Sequence, residues 1–350
     1  MRGNFRALTA ALALLCGSAM FCGSMTNPAQ AASAALVAAA EKEGALNFYS
    51  SVQQNVSRPW VEGFEKKYPK IKVDHTFSPA GDLLTRIISE NKAGKLQADI
   101  TTGGSSMSAL NRLNMLDSFI PDTVADYPAT YKDKDGHWVA TDLYFLSVGI
   151  NTDLVKPQDA PKNLQDLLDP KWKGKMAWTN QMLQGGPLGF IANILSSMGQ
   201  DKGMDYLKKL ATQQVVNYPA SQTGVLDQLA AGAFPVAIMM FDTQMQVVAD
   251  KGAPVKFVPI EPVFGIMNTI SVLKGSPHPN AAKLFVDYTM SEEGQRIIQK
   301  VGFIPSNPKV PPIPPTLRPD GGNFKVNFLT PDQLDAGTDD WKKIYGDLFK

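Results

Sequence analysis

The sequence is poor in the residues that build covalent or metal-dependent sites. Only two of its 350 residues are cysteine, and both, Cys16 and Cys22, lie near the amino terminus. If the first 31 residues are removed, no thiol is left for catalysis or for a disulfide, so stability has to come from an ordinary hydrophobic core. The three histidines are too scattered along the chain to form a metal motif.

An excess of charge of one sign is also missing. The formal net charge is +1, and charged residues make up 19% of the chain. This balance excludes the strongly basic character of a typical nucleic-acid-binding protein, so no nucleic acid is expected as a partner. Hydrophobic residues account for 44%, which indicates a globular chain that is long enough for two domains.

The first 31 residues have the pattern of a secretory signal peptide. A basic start precedes an apolar run over residues 7–21, and Ala29-Gln30-Ala31 is a small-x-small cleavage motif. The run is shorter than the roughly 20 residues needed to span a membrane. We therefore predict a secreted, periplasmic protein that begins near Ala32. The alternatives are an uncleaved anchor helix or a lipid attached to one of the two cysteines.

Short apolar strands alternate with helical patterns along the rest of the chain. The predicted strands of a first unit lie at residues 46–49, 71–73 and 98–101. Those of a second unit lie at residues 144–150, 175–178, 235–240 and 255–259. Alternation of strands and helices favours parallel sheets with right-handed crossovers, so the pattern predicts an α/β fold made of two units.

The last part of the chain is predicted to return to the first unit and then leave it. A strand is predicted at residues 266–273, followed by helices at 280–288 and 292–300. The proline-rich residues 311–315 should run extended over the surface. Residues 330–333 have the pattern of a capping box, which predicts a final helix.

Several stretches resemble the periplasmic solute-binding proteins of ABC importers. They are LNFYSS, FEKKYPKIKV, DLLDPKWKGK, LAAGAFPVAI and VLKGSPHPNAAKLFVDYTMSEEGQRI. The resemblance covers nearly the whole chain after residue 31 and is strongest to the ferric-iron-binding branch and its neighbours, which bind phosphorylated or organic anions. It implies a type II fold with two α/β lobes, each a mainly parallel sheet flanked by helices, joined by hinge strands around a ligand cleft.

The same resemblance implies a division of the chain. The first lobe would comprise residues 32–142 and 265–310, and the second lobe residues 143–264. Residues 311–350 would form the C-terminal extended segment and helix. The protein is expected to act as a monomer without a cofactor, and to deliver a small-molecule ligand to an ABC permease in the inner membrane.

The predicted ligand contacts lie at four strand ends that are rich in glycine, hydroxyl and amide residues. Ligands of open α/β sheets bind beyond the carboxyl ends of the strands, where the following helices offer free N–H groups that suit anions. The predicted contacts are Ser50, Ser51, Gly103, Gly104, Ser105, Ser106, Thr179, Asn180, Gln181, Phe241, Asp242 and Thr243.

Three of these clusters have an alternative structural interpretation. Ser50 and Ser51 could cap a helix, and the glycines at 103 and 104 could form a tight turn. Asp242 follows five apolar residues and is the strongest candidate for a ligand contact at its strand end. It could instead pair with a nearby lysine such as Lys251, or cap the next helix.

The strand end at residues 241–244 also informs the prediction about metal binding. The ferric-binding relatives carry two adjacent tyrosines in this part of the chain, and this sequence has no Tyr-Tyr pair. Hydroxyl and amide groups replace phenolates poorly around a trivalent cation. We therefore predict a small polar or anionic organic ligand and no metal site. Ferric iron with a synergistic anion is the alternative within this class.

A secreted two-lobe enzyme is the alternative from another class. The sequence shows no Ser-His-Asp order, no paired histidines and no phosphate-binding loop with its lysine and hydroxyl residue. No catalytic residue is predicted, so the expected work is binding and a change of shape.

Overall fold

The computed structural model describes residues 32–104, 106–318 and 324–350. The predicted signal peptide at residues 1–31 and Ser105, one of the predicted ligand contacts, lie outside the described residues. Within the described ranges, no helix combines the length and the apolar character needed to cross a bilayer.

The described residues form one mixed sheet flanked by helices. The strands are β1 Ala45–Ser50, β2 Lys72–Phe77, β3 Ile100–Gly103, β4 Val139–Asn151, β5 Met176–Thr179, β6 Val216–Tyr218, β7 Val236–Phe241, β8 Val255–Val258, β9 Val263–Val272, β10 Ile304–Pro305 and β11 Val326–Phe328. The helices are α1 Ala34–Glu43, α2 Gln54–Lys67, α3 Ala80–Lys92, α4 Ser106–Arg112, α5 Pro187–Met198, α6 Gln200–Ala211, α7 Gln222–Ala230, α8 Asp242–Asp250, α9 Pro279–Met290, α10 Glu292–Lys300 and α11 Pro331–Phe349.

Two sets of parallel strands flank a long antiparallel pair. The strand order is β2-β1-β3-β9-β4-β7-β5-β6, with β8 and β10 paired to β4 and β11 paired to β9. β1 is parallel to β2 and β3, and β5 is parallel to β6 and β7. β4 and β9 run antiparallel to each other. This arrangement confirms the predicted α/β class and its strand–helix alternation.

The antiparallel pair is longer than the sequence pattern predicted. β4 begins at Val139, five residues before the predicted start, and β9 begins at Val263 rather than at residue 266. The added residues are buried, because Val139, Ala140 and Val263 all pack into the hydrophobic core. A strand that is apolar on both faces gives no period-2 signal, so its first residues are hard to locate from the sequence.

Within the described ranges, the buried apolar residues form three clusters. The largest includes Trp60, Phe64 and Phe285 and draws on residues 40–145 and 263–324. A second draws on residues 146–264 and 329–349, and a smaller third lies around Leu229 and Met245. Residues 32–350 nevertheless form one compact unit, so the predicted lobe boundaries at residues 142 and 264 stay a prediction.

The final helix has the predicted start. The hydroxyl of Thr330 accepts a hydrogen bond from the N–H of Gln333 at 3.3 Å, and the side-chain oxygen of Gln333 accepts one from the N–H of Thr330 at 2.9 Å. This reciprocal pair is the predicted capping box. The proline-rich segment differs slightly from expectation, because a short 3-10 turn begins at Pro315.

Three helices have no counterpart among the predicted helical stretches, namely α1, α6 and α8. α6 follows α5 after a single glycine, so the two helices look like one interrupted stretch in sequence. α8 begins at Asp242, directly after β7, with no loop between strand and helix. Asp242 and Thr243, which were predicted as ligand contacts at a strand end, therefore lie in the first turn of a helix.

Candidate functional site

A cavity of about 450 Å³ lies where both parallel strand sets and the antiparallel pair meet. The ends of β1 and β3, the middle of β4 and β9, the loop before α5, the junction of β7 with α8, and the start of α11 all contribute to it. Its walls are Ser51, Val52, Gln53, Gly104, Tyr144, Gln184, Gly185, Phe241, Gln244, Ile266, Met267, Asn268, Leu329, Pro331 and Leu334.

Three of the predicted ligand contacts line this cavity. They are Ser51, Gly104 and Phe241. Four others are nearly inaccessible, with exposures of 0% for Ser50, 1% for Thr179, 1% for Asp242 and 4% for Thr243. Those four residues are absent from the cavity walls, and so are Gly103, Ser106, Asn180 and Gln181. A ligand contact by each of these residues stays a prediction.

The hydroxyl groups after β1 bind the neighbouring backbone. The hydroxyl of Ser51 donates to the carbonyl of Thr102 at 2.9 Å, and its N–H donates to the Thr102 hydroxyl at 2.9 Å. The hydroxyl of the buried Ser50 accepts from the N–H of Val52 at 3.2 Å. These bonds fix the turn that presents Val52 and Gln53 to the cavity, as short hydroxyl side chains commonly do beside a backbone turn.

The loop before α5 is held in a similar way. The Thr179 hydroxyl donates to the carbonyl of Ala220 at 2.6 Å and accepts from the N–H of Gln181 at 3.1 Å. A side-chain carbon at Gly189 would overlap the backbone oxygen of Gln184, so only glycine permits this close approach. Gln184 and the glycine after it are thereby placed on the cavity wall.

A backbone irregularity in β7 sets the direction of Phe241. Met239 has a φ of 64°, and the register with β4 shifts between Ser147 and Val148, so Met239 is the extra residue of a bulge. Bulges beside a site re-aim the side chains that follow them. Here the ring of Phe241 faces the ring of Tyr144 edge-on, with 5.7 Å between the centroids.

Asp242 is buried beneath this corner of the cavity. One carboxylate oxygen accepts from the N–H of Thr243 at 2.7 Å, and within the described part of the chain the other oxygen has no hydrogen-bond partner. Burial raises the pKa of Asp242 to about 8, so the neutral acid prevails at pH 7. Asp242 is the first residue of α8, whose N-cap is Phe241, and it lies outside the cavity walls.

A polar network crosses the floor of the cavity. The side-chain amide of Asn268 donates to a carboxylate oxygen of Asp142 at 3.1 Å and to the hydroxyl of Tyr144 at 2.9 Å. The same carboxylate accepts from the hydroxyl of Thr141 at 2.6 Å. Both N–H donors of Asn268 are thus in use, which leaves its carbonyl oxygen as the group that it offers to a ligand.

The acids of this network are perturbed by burial. Asp142 is 1% exposed, and burial raises its pKa. Burial, together with the nearby carboxylate of Asp142, also holds the pKa of Tyr144 well above its usual value. Tyr144 therefore faces the cavity as a neutral phenol rather than as a phenolate.

Three helix starts lie at or beside the cavity. Gln53 and Phe241 are the N-cap residues of α2 and α8, and both line the cavity, while Gly186 precedes α5 next to the wall residue Gly185. None of these three caps forms a side-chain hydrogen bond to the first turn of its helix. Among the described wall residues there is no Asp, Glu, Lys, Arg or His. The cavity thus combines neutral walls with the partial positive charge of helix starts.

Several wall residues lay outside the sequence prediction. The four side-chain amides of the cavity are Gln53, Gln184, Gln244 and Asn268. Asn268 could have been noticed as the one amide of the predicted strand at residues 266–273, whose other polar residues carry only hydroxyl groups. The residues of α11 gave no such signal, because only the tertiary fold brings positions 331 and 334 to positions 51–53.

One group of potential metal ligands lies elsewhere in the described residues. Ligand atoms of Asp133, Asp135 and His137 lie within 4.8 Å of one another. The ring of His137 lies 3.1 Å from the Asp133 carboxylate, and Asp135 is exposed. Exposed acidic groups of this kind are common without an ion, and the group is separate from the cavity walls.

Residues 98–325 match the family described as bacterial extracellular solute-binding protein. A curated relative, the Fe(3+)-binding periplasmic protein of Serratia marcescens, is 23% identical over 301 residues, which cover 79% of this chain and 84% of the relative.

Solved structures have the same fold. Iron-bound HitA from Pseudomonas aeruginosa superposes with a TM-score of 0.71 at 22% identity, over 87% of this chain and 99% of HitA. The periplasmic binding protein AfuA of Actinobacillus pleuropneumoniae, solved with fructose 6-phosphate, gives a TM-score of 0.67 at 25% identity, over 87% of this chain and 98% of AfuA. These similarities confirm the predicted type II periplasmic-binding-protein fold.

Proposed function

The chain belongs to the family of bacterial extracellular solute-binding proteins, and from this membership we propose that it captures a small, hydroxylated organic anion in the cavity described above. Its role is that of the substrate-binding protein of an ABC transporter. Proteins of this class deliver their ligand to a permease, and the relatives compared above are binding proteins rather than enzymes. We extend the proposal to a monomer that works in the periplasm after removal of its signal peptide.

The chemistry of the cavity walls is the observation that carries this proposal. Helix starts at Gln53 and Phe241 favour negative charge through the helix dipole and free N–H groups. The carbonyl oxygen of Asn268 needs a donor, which a ligand hydroxyl supplies. Because the wall side chains are neutral, an anion would be held by dipoles and amides rather than by an opposite charge.

Closure of the cleft is the expected response to the ligand. A ligand that contacts β1 and β3 on one side and β7 on the other gains all of its contacts only when both sides are in place. Differential binding of this kind shifts a population toward the closed form. No bond in the ligand has to be made or broken.

Ferric iron with a synergistic anion is the second candidate function. The names of the Serratia and Pseudomonas relatives support it. The donor set favours it less, because Tyr144 is the only phenol among the described wall residues and its raised pKa disfavours the phenolate form. A trivalent cation prefers anionic oxygen ligands, which the bound anion would then have to supply.

A panel of probes distinguishes the two candidates. We would titrate fructose 6-phosphate, inorganic phosphate, citrate, formate and ferric citrate into the protein by calorimetry and follow the thermal midpoint. The proposal predicts that an organic anion binds without iron, and that a ligand at one hundred times its Kd adds about 2.7 kcal/mol to the free energy of unfolding. Binding of ferric citrate alone, with visible charge-transfer colour, would support the second candidate.

The variant Asn268→Leu tests whether such binding occurs in this cavity. Leucine has a similar shape and lacks the carbonyl oxygen, so we expect roughly tenfold weaker binding from the lost hydrogen bond. Tyr144→Phe is the companion variant, because it removes the neighbouring hydroxyl and keeps the Asn268 oxygen. No response to any organic anion, or an unchanged affinity in Asn268→Leu, would contradict the proposal.

A further inference from the structure

The C-terminal segment supplies an apolar wall to the cavity although it lies beyond the residues that match the family. The family match ends at residue 325, whereas Leu329, Pro331 and Leu334 line the cavity. We call these three residues the C-terminal wall. They stand on or just before α11, whose first turn is fixed by the Thr330–Gln333 capping box.

The second half of α11 anchors this wall. Trp341, Tyr345 and Phe349 are buried in the second hydrophobic cluster. The ring of Phe349 meets the ring of Trp178 edge-on at 5.0 Å, and the hydroxyl of Tyr345 donates to the side-chain oxygen of Asn217 at 2.7 Å. These contacts hold the second half of the helix against β5 and β6. They thereby restrict the position of its first turn, which carries the C-terminal wall.

The first half of α11 contacts α4, a short helix that belongs to the first hydrophobic cluster. The carboxylate of Asp335 forms an ion pair with the guanidinium of Arg112, the last residue of α4. Leu110 of the same short helix belongs to the first hydrophobic cluster. The ion pair is partly exposed, so it adds little stability by itself. The ion pair joins the first half of α11, which carries Leu334 of the second cluster, to a helix that is anchored in the first cluster.

We propose that the C-terminal wall is a specificity-determining part of the ligand site, which selects ligands with a carbon skeleton over bare ions that carry the same head group. This inference rests on the proposed binding function. Polar groups at Gln53 and Asn268 would hold the head group and hydroxyls, while the wall would cover an apolar face of the ligand. A bare oxyanion has no such face, so it gains nothing from Leu334 or its neighbours.

Matched probe pairs test the selection. We would compare fructose 6-phosphate with inorganic phosphate, and citrate with formate, by calorimetry on the wild type, Leu334→Asn and Leu348→Asn. Leu348 lies on the same helix and packs against the second cluster, away from the cavity, so it is the matched control.

We expect the wild type to bind the organic member of a pair at least one hundred times more tightly than the bare ion. Leu334→Asn should reduce this ratio at least fivefold, while Leu348→Asn lowers the thermal midpoint and keeps the ratio. An equal ratio in Leu334→Asn and the wild type would overturn the proposal, and so would a loss of selection in both variants.

A crosslink tests the placement of the wall without any ligand. Both natural cysteines precede residue 32, so Arg112→Cys combined with Asp335→Cys introduces the only thiols after that point. We expect a bismaleimide whose spacer is about as long as the arginine side chain to link α4 to α11, because the ion pair brings these two side chains together while a direct disulfide would need closer backbones. The yield should fall sharply when Lys342→Cys replaces Asp335→Cys. Failure to form the crosslink would overturn the proposed wall. Its formation in a protein that binds no probe would support the placement and refute the proposed ligand class instead.

Discussion

The ends of β1 and β7 face the same cavity but use their polar residues differently. After β1, the hydroxyls of Ser50 and Ser51 are bonded to nearby backbone, and the longer Gln53 reaches the wall. After β7, the carboxylate of Asp242 is buried, and the ring of Phe241 takes the wall position beside Gln244.

The difference shows that side-chain length decides which polar group is available to a ligand. Serine, threonine and aspartate are short, so they find partners in their own turn or in the strand next to it. Glutamine extends past these backbone groups and keeps its amide free. A strand end that is rich in polar residues therefore indicates a site, but the residues nearest to the strand often stabilise its turn.

The largest expected effect concerns the carboxylate after β7. Because burial raises the pKa of Asp242 to about 8, the folded state holds this proton where the unfolded state, with a pKa near 3.9, has lost it. The wild type should therefore lose stability relative to Asp242→Asn between about pH 4 and pH 8, by up to about 1.4 kcal/mol per pH unit. Urea unfolding of both proteins at pH 5, 6, 7 and 8 measures this slope.

Asp250→Asn is the matched control for that experiment. Asp250 is exposed at the other end of α8, so its unfolding curves should follow those of the wild type at every pH. Parallel curves for Asp242→Asn and the wild type would contradict the buried neutral acid. A weaker affinity of Asp242→Asn for a bound probe would instead support the ligand contact predicted from the sequence.

The next largest effect concerns the loop that carries Gln184. Gly189→Ala places a methyl group against the backbone oxygen of Gln184, so we expect a loss of about 1–3 kcal/mol in the free energy of unfolding, as for overpacked sites. The probe affinity should fall as well, because Gln184 and Gly185 leave the wall. Denaturant unfolding and calorimetry measure both quantities.

Gly346→Ala is the same substitution at a position where we expect it to raise the free energy of unfolding. Nothing lies within 4 Å of a methyl group at this position inside α11, so alanine should stabilise the helix by about 0.5–1 kcal/mol. A Gly189→Ala variant that is as stable as the wild type would contradict the close approach between the Gln184 carbonyl and α5.

The smallest expected effects compare the hydroxyl of Ser50 with the side-chain amide of Gln53 at the end of β1. Ser50→Ala should cost about 1 kcal/mol of stability, because the N–H of Val52 loses its acceptor, and should leave probe affinity unchanged. Gln53→Ala should do the reverse, with weaker probe binding by severalfold and little change in stability, since Gln53 is exposed at the cavity. The same response in both variants would contradict the structural role of Ser50 and the ligand-binding role of Gln53.

The sequence pattern located the sheet well and the cavity wall less well. Apolar runs such as residues 235–240 predict buried strands because nearly every side chain there must leave water. The start of α8 at Asp242 was missed, since the helix follows β7 without any turn residue. The bulge at Met239 has no local signature either, because a methionine at positive φ is held there by its neighbours.

The wall residues depend on contacts that are distant in sequence. Leu334 lines the same cavity as the residues after β1 because Tyr345 and Phe349 pack the rest of α11 beside β5. Asn268 is the one amide of its predicted strand, but its hydrogen bonds to Asp142 and Tyr144 could not be read from the sequence. Patterns of period 2 and 3.6 report which face of an element is buried, but not which other element covers it.

Native mass spectrometry of the protein released gently from the periplasm tests the proposed function most directly. We predict a protein that begins near Ala32 and carries one small organic anion, which contains hydroxyl groups and is identified after denaturation. A population that carries ferric iron, or a protein that remains without ligand under conditions that preserve known complexes, would contradict a neutral-walled site for an organic anion.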